Sequence, residues 1–125
     1  MRSRVVAVGA VVLAAGCGGG SSAIYAVGPT QTCLQHHTVQ VSRASRDVHY
    51  FWQTAPQGAL SAELGGAPVT IDFEQTHKDA DTTKSAYEAG APASTTVEEH
   101  GNVIVIWRHA PSSAQRSTVK DCLSQ

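Results

Sequence analysis

No apolar run in this 125-residue chain is long enough to cross a bilayer as a helix. The run from Val5 to Ala15 has 11 residues, against the roughly 20 that the hydrocarbon core requires. An excess of positive charge is missing too. Nine Lys and Arg against ten Asp and Glu give a net charge of -1. With no basic patch, nucleic acid is not an expected partner, and no polybasic stretch is present to hold anionic lipid headgroups. Enzyme signatures are lacking as well. There is no G-x-S-x-G elbow, no P-loop, no G-x-G-x-x-G and no H-E-x-x-H. No catalytic residue is therefore nominated and no cofactor is expected. The length allows one small domain and no more.

What the chain does have is a marked N-terminus. Arg2 and Arg4 precede the apolar run, and the small residues Ala14, Ala15 and Gly16 follow it. This is the layout of an export signal over residues 1–16. The segment Ala14-Ala15-Gly16-Cys17 resembles the lipobox of bacterial lipoproteins. The resemblance covers only the first 20 or so residues, and it implies that Cys17 is thioether-linked to diacylglycerol and becomes the first mature residue. It also implies location at the cell membrane, lipid-anchored on the extracytoplasmic side. An ordinary secretory signal cut after Gly16, leaving Cys17 unmodified, is the alternative. Gly18 to Ser22 is a coil-forming linker, and the tether is read as residues 17–28. Losing Arg2 and Arg4 with the signal leaves seven basic against ten acidic residues.

Three cysteines are present, Cys17, Cys33 and Cys122. An odd number in an exported protein leaves one thiol to explain. Lipidation of Cys17 explains it, and Cys33 and Cys122 are then expected to pair in an oxidising compartment.

The domain is read as residues 29–125, of α+β class. Thr30 is a plausible N-cap for a helix to about His37, with Cys33, Leu34 and His37 on one face by three-four spacing. A short extended piece follows over residues 38–42, with Val39 and Val41 alternating. Residues 43–58 are read as a loop carrying an aromatic cluster, Tyr50 to Trp52. Residues 59–64 and 68–74, around Gly65-Gly66, read as a β-hairpin with Val69, Ile71 and Phe73 inward. Thr76 and Asp79 have capping-box spacing for a helix to about Ala89, stopped at Gly90-Ala91-Pro92.

The pattern then repeats. Residues 94–99 and 103–107 form a second hairpin about His100-Gly101-Asn102, and Ser112 with Gln115 caps a last helix. Residues 69–73 and 103–107 correspond at a shift of 34 positions. Two hairpin-plus-helix units after one helix predict a four-stranded antiparallel sheet with the helices on one face.

Between the two units one difference stands out. Outward positions in the first are Thr70 and Asp72, but in the second they are Ile104 and Ile106. A strand apolar on both sides should be covered on both sides. Tyr50 to Trp52 is the expected cover, and a protein partner or second copy is the alternative. Trp52, Ile104 and Ile106 are accordingly the nominated binding surface of a non-catalytic interaction module.

The competing reading is metal binding. Six histidines are present, His36, His37, His49, His77, His100 and His109, and exported metal-binding proteins use such surfaces. His77 and His109 both sit near strand-to-helix junctions, which could place them at one edge of the sheet. The local clusters His77-Lys78-Asp79-Ala80-Asp81 and Glu98-Glu99-His100 read better as a helix start and a solvated turn. His37, on the apolar helix face, is expected to be half buried.

Overall fold

Alternating apolar residues form the strands where the hairpin pattern places them. The computed structural model describes residues 23–37, 39–43 and 56–125. The elements are α1 (Val27–His36), β1 (Gln40–Arg43), β2 (Ala59–Leu64), β3 (Ala67–Phe73), α2 (His77–Gly90), β4 (Thr96–His100), β5 (Val103–Trp107) and α3 (Ser113–Leu123). The class is α+β. All strands join one antiparallel sheet in the order β1-β2-β3-β5-β4.

Among the described residues the sheet has five strands where four were expected. The extra one is β1, which pairs Val41 with Ala62 at the edge of β2. Its short alternation reads correctly as extended chain, but pairing across a long connection leaves no local signal. The two hairpins meet along β3 and β5, with Ile71 opposite Val105. These two residues are also equivalent under the 34-position repeat, so the repeat is centred on its own strand pair.

Helices cover both faces, and not one as predicted. On one face Leu60, Ala62, Leu64, Val69, Ile71, Phe73, Val103, Val105 and Trp107 pack with Leu34 of α1 and Val119, Cys122 and Leu123 of α3. On the other, Ile104 and Ile106 pack with Ala80 and Tyr87 of α2, and Val97 of β4 lies against them. The doubly apolar β5 needed a second cover, and α2 supplies it. Ile104 is 0% exposed and Ile106 6%, so they are core and not a binding surface. Trp52 and the rest of the Tyr50 to Trp52 cluster lie outside the described residues.

Caps fix where α2 and α3 begin. The Thr76 hydroxyl oxygen accepts from the Asp79 N–H at 3.1 Å and its O–H donates to the Asp79 carboxylate at 2.7 Å. In α3, Ser112 and Gln115 form the reciprocal box, at 3.2 and 2.8 Å. The Gln115 amide also donates to the Leu64 carbonyl at 2.9 Å, tying the start of α3 to the β2–β3 turn.

The first helix starts earlier than expected. Ala26 is its N-cap residue, and Pro29 sits in the first turn, where a missing N–H costs nothing. Thr30 is inside the helix, its hydroxyl donating to the Ala26 carbonyl at 3.0 Å. A disulfide joins Cys33 of α1 to Cys122 of α3, closing 89 residues. In the chain-entropy model such a loop restricts the unfolded chain by about 4.5 kcal/mol.

Replacing Ile104 by Ala should cost about 2–5 kcal/mol. A matching fall in the urea midpoint is the check; an unchanged midpoint would return Ile104 to the surface.

Candidate functional site

Among the described residues, three places bring chemistry-bearing side chains together. The first is the end of the sheet at the β4–β5 turn. Gly101 takes φ +56° there, a left-handed conformation that glycine adopts freely. Any Cβ at this position would collide with the Ala23 carbonyl. Asn102, fully buried, donates from its amide to the carbonyls of Tyr25 at 3.1 Å and Glu74 at 2.7 Å. Its side-chain oxygen accepts from the Tyr25 N–H at 2.6 Å. Residues 23–26, read in the sequence as part of the tether, are therefore clasped to the domain.

His77 opens α2 at this same end. Its Nδ1 lies 2.9 Å from Glu99 Oε1 and 3.1 Å from the Gly101 carbonyl oxygen. Both neighbours are acceptors, so this nitrogen carries the hydrogen. His109 follows β5 at the other end. Because β3 and β5 are antiparallel, Phe73 pairs with Val103 while Trp107 pairs with Val69. The chain thus leaves the two strands at opposite ends, about 13 Å apart along β5 at the usual rise per residue. His77 and His109 do not meet, and the metal site expected of them is corrected. On β4, Glu98 and Glu99 face opposite sides: Glu99 meets His77, and Glu98 pairs with Arg116 and with His100.

The second place lies under α2. Asp72, expected on an outward face, is buried, and so is Glu74 just after β3. The Tyr87 hydroxyl donates to Asp72 Oδ2 at 3.4 Å and the Thr83 hydroxyl to Glu74 Oε1 at 3.1 Å. These bonds set the rotation of α2 over the sheet. Sequence reading missed this because Thr83 and Tyr87 reveal their role only once α2 is placed on the carboxylate side.

The third is the corner where α1 meets α3. Cys33 is half buried, Cys122 buried and His37 exposed, so His37 is not the half-buried core residue expected. The Sγ atoms and an imidazole nitrogen of these three residues all lie within 4.8 Å of one another. Among the described residues they are the one cluster of three or more His, Cys, Asp or Glu close enough to share a metal ion. While the disulfide stands, both sulfurs are committed to each other. Beside this corner is an open cleft of about 290 Å³, lined by His37, Val39, Glu63, Leu64, Gly65 and Gln115 among others. Cys17, the nominated lipid site, lies outside the described residues.

Compared with family models, with curated proteins and with solved structures, the chain gives no match. Among the described residues no helix is long and apolar enough to cross a membrane.

Asn102→Ala should remove three hydrogen bonds at the clasp and destabilise the domain by about 2–3 kcal/mol. Faster hydrogen exchange at the Tyr25 amide is the local readout; unchanged exchange would show that the arm is held by other contacts.

Proposed function

We propose that this chain is an extracytoplasmic lipoprotein whose domain is a non-catalytic binding module, held at the cell membrane by a diacylglycerol thioether on Cys17. The observation that supports this best is the Cys33–Cys122 disulfide. It suits an oxidising compartment, and it accounts for two of the three cysteines in the sequence, leaving Cys17 for the lipid.

The clasp at Asn102 gives the proposed anchor a direction. Between Cys17 and Ala23 the chain can reach at most about 20 Å. A lipid on Cys17 would therefore keep the β4–β5 turn, where the arm is held, within about that distance of the bilayer surface. At the opposite end of the sheet lie the β2–β3 turn and the cleft beside His37, Leu64 and Gln115. With the anchor at the other end, this end would be the farther from the membrane, and we assign to it the surface that a protein partner or a second copy would meet. Ile104 and Ile106 take no part, since α2 covers them.

Cys17→Ser should release the protein from the membrane or leave its signal unprocessed, and should abolish incorporation of labelled fatty acid. Undiminished fatty-acid labelling of the variant, or its retention in washed membranes after normal processing, would refute the lipid anchor.

A further inference from the structure

The corner between α1 and α3 has a second use that does not depend on whether Cys17 is lipidated. Cys33 and His37 are four residues apart at the end of α1, so they project from the same side of the helix. Cys122, in the last turn of α3, is brought to the same point. The three donor atoms fall within 4.8 Å of one another. Around a tetrahedral zinc, with Zn–S of about 2.3 Å and Zn–N of about 2.1 Å, donor atoms stand roughly 3.5–3.8 Å apart. Reaching that arrangement takes two changes once the bridge is reduced: the sulfurs, bonded to each other in the bridge, must part, and the imidazole nitrogen must settle within that spacing of both. The geometry points to a reduction-gated site for a thiophilic metal ion such as zinc, made of Cys33, His37 and Cys122, with the fourth position open to an exogenous ligand.

The helix ends separate this from a thiol-disulfide catalyst. Reactive thiolates are favoured at helix N-termini, where the positive end of the dipole lowers the thiol pKa. Cys33 and Cys122 are both in the last turns of their helices. There the unpaired carbonyls and the negative dipole end disfavour a bare thiolate and favour a bound cation. Two thiolates and an imidazole are also the soft donor set that selects zinc or cuprous copper over magnesium or calcium.

The gating step balances as an ordinary exchange. One thiolate of an external dithiol attacks Sγ of the half-buried Cys33, and the sulfur-sulfur bond breaks with the electron pair leaving on Cys122. The second thiol of the reagent then displaces Cys33, and the reagent leaves as its own disulfide. Its two electrons and two protons end on the two cysteines. Metal binding then releases those protons. A bound ion in turn blocks reoxidation, so bridge and metal are mutually exclusive states of one corner.

The test uses the exported protein carrying Cys17→Ser, which removes the remaining cysteine of the sequence. The reduced, metal-free protein is titrated with zinc against a chromophoric chelator, and its circular dichroism and melting temperature are followed. The expected result is one zinc per chain, a raised melting temperature in the reduced form and no binding by the oxidised form. His37→Ala should weaken binding on the order of tenfold to a hundredfold, at least what loss of an outer partner costs. If reduction melts the domain and zinc restores its circular dichroism, the proposal stands as metal-coupled folding. No stoichiometric binding, a reduced chain that zinc does not refold, or affinity unchanged by His37→Ala overturns it.

Discussion

Strand β5 is the constraint on which the fold turns. All five of its residues, Val103 to Trp107, are buried, so neither of its faces can be left to water. Burial of an aliphatic or aromatic side chain contributes roughly 1.5–3 kcal/mol, and β5 offers this on both sides. The chain must therefore build two cores. Val103, Val105 and Trp107 gather α1 and α3, while Ile104 and Ile106 gather α2. Strand β3, beside β5, is only half as demanding. Its Val69, Ile71 and Phe73 join the first core, whereas Asp72, on the other side, is held by a hydroxyl from α2.

The same constraint breaks the symmetry of the repeat. A two-fold axis normal to the sheet through the Ile71–Val105 pair would map β3 onto β5 and put the helix after each strand on the same face. The pairing obeys that axis, but the helices do not. The helix after β3 crosses to cover Ile104 and Ile106, while the helix after β5 returns to the first core. A chain that kept the symmetry would leave one side of β5 bare.

Much of this was legible because strand alternation and helix caps are local. The hairpins about Gly65-Gly66 and Gly101-Asn102, and the starts of α2 at Thr76 and α3 at Ser112, follow from residues within a few positions of each other. The doubly apolar character of β5 was legible too, as was the need for a cover. The identity of that cover was not, since α2 carries only a narrow apolar stripe of Ala80 and Tyr87, and which sheet face it meets is decided by packing. Strand β1 escaped for the same reason, as a four-residue edge whose partner lies across a long connection. Gly28-Pro29 misled as a boundary because proline at a helix start and proline after a break look alike in sequence. Of the candidate sites, the cysteine pair could be read by counting. His77 and His109 do not pair because β3 and β5 run antiparallel, so the junctions that follow them lie at opposite ends of the sheet.

The two attachments of the N-terminal region then acquire distinct duties. Asn102 holds residues 23–26 at one end of the sheet through hydrogen bonds to backbone, a sequence-tolerant grip that depends on the arm being extended. The disulfide holds α1 to α3 covalently, farther along the helix. A pull on the arm, such as the proposed membrane anchor would exert, meets the clasp first. Beyond it lies α1, which cannot peel from α3 while the bridge is closed. Opening the bridge removes that second restraint unless a metal ion takes its place between the same two helices. On that logic the redox state of one corner decides whether α1 is held to α3 by packing alone or by a crosslink as well, and in the proposed metal-bound state His37 would let a cation substitute for the covalent bond.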